Sequence, residues 1–200
     1  TSLVGSEMCI RDRPWIVINN RPTQLQAVRL TDRSVAVIRK MRTIEELDHF
    51  DLDSLGDIPL GTLRRHATRL HAVCRYRRGV RKKDGMTPSD VRCIDIHPYA
   101  LTDVWSRYAD FLLYHEYLHA LGIYDHGREF RELESLWPDT EARSMGELFG
   151  IHLRERSAKW QWVCPSCGNK YPRTRRGNGR YRCRDCCLLY TSDAADETGR

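Results

Sequence analysis

The sequence predicts an α+β fold in two parts, a small mixed domain followed by a ribbon that depends on metal. Three observations carry this. An apolar helical stretch from about Thr102 to Leu121 contains His115-Glu116-Tyr117-Leu118-His119. Just before it, Val91–Ile96 (VRCIDI) alternates apolar and polar residues as a half-buried strand does. Near the C-terminal end lie two Cys-x-x-Cys pairs, in a segment too short to build an apolar core of its own.

The two ends are set aside before the elements are placed. Leu3–Arg13 (LVGSEMCIRDR) and Cys187–Glu197 (CLLYTSDAADE) read as translations of the two orientations of a transposase-type sequencing adaptor. Residues 1–13 and 187–200 are therefore treated as adaptor-like artefacts, and the natural start and stop stay open. Removing Arg11, Arg13 and Arg200 from the 33 basic residues, and Glu7, Asp12, Asp193, Asp196 and Glu197 from the 27 acidic ones, leaves 30 and 22, a surplus of +8. That surplus favours acidic partners. No run approaches the roughly 18–20 apolar residues of a membrane span, so no membrane partner is expected.

In chain order, residues 14–58 form an N-terminal segment with no assigned role. Ser34–Met41 (SVAVIRKM) is expected as a strand, and Thr43-x-x-Glu46 as the capping box of a short helix to about Phe50. Leu63, Ala67, Leu70 and Cys74 recur at helical spacing and predict an amphipathic helix from Leu60, with Arg64, Arg65 and Arg69 off its stripe. After the strand at 91–96, Thr102 or Asp103 caps the long helix and Gly122 stops it. A helix follows from near His126 to Trp137-Pro138, and another from about Asp139 to Arg154. The main domain spans 59–158 and the ribbon 159–186.

The pentapeptide His115–His119 places two imidazoles one helical turn apart on one face, where they can share a tetrahedral zinc. Glu116 projects beside them, able to act as general base toward a water. A catalytic zinc needs a third protein ligand, and Asp125 and His126 both stand downstream. With Gly122, Asp125 fits the spacing His-Glu-x-x-His-x-x-Gly-x-x-Asp, for which Met145 is a nominal Met-turn. Tyr124, Arg128 and His97 are near enough in sequence to serve an oxyanion. His49, His66, His71 and His152 have no partner at ligand spacing, and Cys74 and Cys93 are expected as core thiols.

His126-Gly127-Arg128-Glu129-Phe130 resembles the segment that supplies the third zinc histidine in SprT-like (Spartan-like) metallopeptidases. The resemblance covers roughly Leu60–Cys186, including Leu70–Arg77 (LHAVCRYR), Asp95-Ile96-His97-Pro98 and the C-terminal cysteines. It implies a small zincin-like fold with a short sheet beside the ligand helix, His115, His119 and His126 as ligands, and Glu116 as general base. It also implies cleavage of proteins bound or crosslinked to DNA. The chain departs from the family in the short Ala120–Asp125 link between its second and third histidines.

Cys164, Cys167, Cys183 and Cys186 follow C-x2-C-x15-C-x2-C, the spacing of a four-thiolate structural zinc site, so two zinc ions are expected, one catalytic and one structural. Unpaired by disulfides, these cysteines suit a reducing, intracellular setting, cytoplasmic or nucleoid-associated. Arg173, Arg175, Arg176, Arg180 and Arg182, interleaved with Trp160, Trp162, Tyr171 and Tyr181, are the candidate contacts to DNA, single-stranded by preference. At least two of those rings are expected to pack the ribbon instead. Arg64–Lys83 holds nine Lys or Arg and no acid. The competing class is a nucleic-acid-binding or transcription-associated zinc-ribbon protein on a non-proteolytic scaffold.

Overall fold

The computed structural model describes residues 24–80, 85–175 and 180–191. They divide into two compact units between Gly150 and Ile151, earlier in the chain than the boundary expected at 158/159.

The first unit opens with helix α1, Gln24–Met41. This overturns the strand expected at Ser34–Met41. Leu30, Ser34, Val37, Ile38 and Met41 are buried at three- and four-residue steps, while Val35 is 54% exposed. The branched residues favour a strand locally, but the helical stripe they belong to becomes visible only over the longer window, and packing decides. Thr43 caps nothing downstream, since its hydroxyl donates to Lys40 O at 2.7 Å, and the expected helix shrinks to a 3-10 turn, Glu45–Leu47.

A three-stranded sheet follows, with β1 (Leu60–Thr62), β2 (Ala72–Tyr76) and β3 (Val91–Ile96) in the order β1-β3-β2. β1 runs parallel to β3 and β2 antiparallel to it. The amphipathic helix expected from Leu60 is therefore absent. Its apparent stripe has no common face: Leu63 is buried, Leu70 is 51% exposed, and Cys74 lies in β2. Gly61 has a packing reason, because a Cβ there would stand 2.4 Å from the Asp95 carboxylate that leans across it.

Helix α2, Ser106–Ala120, lies on β2 and β3 and against α1. The Ser34 and Tyr117 hydroxyls hydrogen-bond at 2.7 Å, and Arg33 ion-pairs with Asp110. A 3-10 turn, Asp103–Trp105, precedes α2, and Thr102 bonds Tyr99 O rather than capping the helix. Gly122, at φ +98°, stops α2 as expected and fits its conformational role. α3 (Arg128–Ser135) and α4 (Thr140–Ser157) follow, with Phe149 of α4 packed edge-on against His71 and Trp105, both at 5.0 Å.

The second unit contains two hairpins, β4 (Trp160–Val163) with β5 (Lys170–Arg173), and β6 (Arg180–Arg182) with β7 (Leu189–Thr191). The second hairpin thus runs past the boundary expected at Cys186 and takes in Leu189–Thr191, residues whose sequence reads as an adaptor-like end. The chain is a mixed α+β protein with four helices and small sheets among its described residues, and none of those helices is long and apolar enough to cross a membrane.

Candidate metal centres

α2 is enclosed on nearly every side, with Tyr114, Tyr117 and Leu118 at 0% exposure. His115 and His119, four residues apart, therefore project from a fixed support. The turn at Gly122 sends the chain back, and His126 meets them. One donor atom from each of the three imidazoles lies within 4.8 Å of the others.

The hydrogen bonds settle which nitrogens face inward. His115 Nδ1 lies 2.7 Å from Glu134 Oε1, and His119 Nδ1 lies 2.9 Å from Ile123 O. A carboxylate and a carbonyl can only accept, so each Nδ1 carries the proton and each Nε2 offers its lone pair. His115 Nε2 and His126 Nε2 are 3.1 Å apart. Two nitrogens bound to one tetrahedral zinc at about 2.0–2.1 Å would be separated by roughly 3.3 Å, so the spacing fits the ion. Burial lowers the His119 pKa to about 4, and burial with the charge of His115 also lowers that of His126, which keeps them neutral as ligands must be.

Phe130, 1% exposed, packs on all three rings, at 4.8 Å from His115, 4.7 Å from His119 and 4.7 Å from His126. Asp125, the rival third ligand, turns away and accepts the Gly127 N–H at 3.0 Å. Met145 lies within α4 and forms no turn. The donor set that the fold assembles is thus three imidazoles.

Glu116 is 6% exposed, and burial pushes its pKa up to about 7 against the opposing charge of His115 and a hydrogen bond from the Cys74 N–H. β2, which supplies that N–H, is an edge of the sheet. Tyr76 of the same strand donates to His119 O at 2.9 Å. Among the residues considered for an oxyanion, His97 is fully buried and bonds Ala67 O and the Tyr99 N–H. Arg128 is exposed and paired with Glu132. Tyr124 stays near the site, edge-on to Tyr76 at 6.5 Å.

His71, expected to be satisfied or on the surface, bonds the Tyr108 hydroxyl. Cys74 and Cys93 are half-buried rather than core thiols. Glu134, Tyr76 and Arg143 escape a reading of motifs. One signal could have found Glu134: it follows Phe130 by four residues and so shares its face of α3.

In the ribbon, Cys164 Sγ and Cys186 Sγ are 3.5 Å apart, as are Cys167 Sγ and Cys183 Sγ, and all four sulfurs lie within 4.8 Å. A disulfide would need about 2.05 Å. Four thiolates on zinc at about 2.3 Å would lie roughly 3.8 Å apart, so the set fits a closed structural site. Trp162 stacks between Tyr171 at 5.1 Å and Tyr181 at 5.0 Å over the buried Cys164 and Cys183. Three of the four aromatic candidates for base stacking are thereby spent on the ribbon's own core. Arg173, Arg175, Arg180 and Arg182 are exposed, with Arg173 over the Tyr181 ring, while Arg176 lies outside the described residues. Of the basic run at Arg64–Lys83, Arg64, Arg69, Arg77 and Arg78 are exposed, Arg75 is paired with Asp95, and 81–84 lie outside the described residues.

Residues 158–192 match the model of the SprT-like zinc ribbon domain. No curated protein and no solved structure gives a significant match to the chain. Cysteine spacing, sulfur geometry and this match agree that residues 158–192 form a SprT-like zinc ribbon.

Proposed function

We propose that this protein is a zinc-dependent endopeptidase of SprT-like type that cleaves proteins held at DNA. The observation that carries the reading is the convergence of His115, His119 and His126 beside the buried carboxylate of Glu116. When bound there, zinc supplies the Lewis acidity that polarises a peptide carbonyl and acidifies water.

Glu116 takes a proton from the attacking water as its oxygen bonds the carbonyl carbon. It returns that proton to the amine nitrogen as the C–N bond breaks. Its burial favours the protonated form that carries the proton between the two steps. An extended substrate would lie along the outer edge of β2, which borders Glu116. The exposed arginines of the ribbon would hold phosphates and bring the peptidase to its substrates by proximity. With Trp162, Tyr171 and Tyr181 packed together, that contact is mainly electrostatic.

The test is proteolysis of a DNA-binding protein by the zinc-loaded chain, with and without single-stranded DNA, beside Glu116→Ala. We expect DNA-stimulated cleavage that falls by about 10²–10⁴-fold in the variant. Cleavage by Glu116→Ala at the parental rate would overturn the peptidase assignment, and Glu116-dependent cleavage indifferent to DNA would remove the DNA part.

A further inference from the structure

We infer that Glu134 is the positioning residue of the histidine centre, with Arg143 as its anchor, and that this pair sets how tightly the centre holds zinc. The inference rests on the reading of His115, His119 and His126 as zinc ligands.

The three histidines are supported unequally. His119 Nδ1 is held by the main chain, at Ile123 O, just past the end of α2. No hydrogen bond to His126 Nδ1 occurs among the described residues. His115 alone is oriented by a side chain, Glu134, at 2.7 Å. A carboxylate accepting the Nδ1–H fixes the ring and its tautomer and makes Nε2 a better donor toward a metal.

Glu134 can do this because it is itself immobilised. Its side chain is 11% exposed, and its second oxygen, Oε2, meets Arg143 Nη2 at 3.3 Å. The backbone beside it is pinned, since the Tyr114 hydroxyl donates to Leu133 O at 2.5 Å and the Tyr114 ring stacks on Trp137 at 4.9 Å. Phe130, one turn earlier on the same face, packs on the three imidazoles. α3 thus delivers an apolar floor and an oriented carboxylate together. Burial alone would raise the Glu134 pKa, but the bond from His115 and the charges of His115 and Arg143 bring it below the ordinary value. A carboxylate this enclosed would be costly without such partners.

The experiment measures zinc retained per full-length chain across a series of chelator concentrations, with His115→Ala identifying the step that belongs to the histidine centre. For Glu134→Gln we expect that step to move to about 10–100-fold weaker affinity. Arg143→Met is expected to fall between the parent and Glu134→Gln, and Arg143→Lys close to the parent. Cobalt substituted for zinc should show a shifted visible spectrum in Glu134→Gln, a signature that loss of packing elsewhere would not produce. The thermal midpoint of the metal-free chain should stay unchanged.

A parent chain that lacks the step lost in His115→Ala would overturn the metal-centre reading beneath the inference. A step present in the parent and unmoved in Glu134→Gln would overturn the inference alone. A metal-free midpoint that falls in parallel with affinity would make Glu134 a structural residue and also overturn it.

Discussion

His115 and His119 stand on a helix in which eleven of fifteen residues are buried, whereas the four ribbon cysteines stand on two tight turns whose small core consists of Trp162 and two of the cysteines themselves. Deleting the ion has opposite meanings in the two places. α2 would keep its packing on β2, β3 and α1, because Leu113, Tyr114, Tyr117 and Leu118 are covered by protein. The ribbon would lose what gathers its two hairpins, since its ligands are also its core. One centre is a site placed on a finished fold, and the other is the reason a fold exists.

Breaking the second half of that comparison should give the largest effect. Cys183→Ser removes a buried thiolate from a site whose zinc contributes on the order of 10 kcal/mol to folding. We expect the amide resonances of 158–191 to collapse toward random-coil positions while those of 30–150 hold. Loss of both sets would refute the independence of the two units.

A smaller change sharpens the first half. Gly122 sits at φ +98°, and a Cβ there would meet Met86 O at 2.5 Å. Gly122→Ala should cost about 1–3 kcal/mol and displace the turn that returns His126 to the other ligands. Denaturant unfolding reads the first quantity, and zinc retention at the histidine centre reads the second. A variant as stable as its parent would show that the turn relaxes freely.

The smallest effect has the opposite sign. The first cysteine turn places Gly168 at φ +72°, while the matching position after Cys186 holds Cys187 at φ +58°. Only glycine adopts that conformation without strain, so Cys187→Gly should stabilise the zinc-loaded ribbon by about 1 kcal/mol. A lower thermal midpoint would contradict the strain argument.

Most of the two donor clusters was legible in the sequence, because helical spacing and paired cysteines are local patterns whose geometry survives in any context. His115 and His119 needed only one turn of helix, and Cys164–Cys167 only a tight loop. The third histidine was legible through resemblance to a family, the spacing alone leaving Asp125 open. The N-terminal half was misread for a physical reason. Ser34–Met41 is rich in strand-favouring residues, but packing on α2 outweighs preference of that size. In 60–76 the sheet depends on pairing with β3, 15 to 34 residues on, which no local period can announce. Glu134 was hidden similarly, since its link to His115 exists only once α3 has docked.

The enclosure of α2 also bears on kinetics. A helix covered on nearly all sides opens only when its whole unit unfolds, so its amides should be among the slowest to exchange with solvent. The backbone that bears His115 and His119 therefore stays helical between unfolding events. His126 is the exposed member of the set, on a connecting loop. An ion reaching the three imidazoles would then meet His126, their one exposed ring, first.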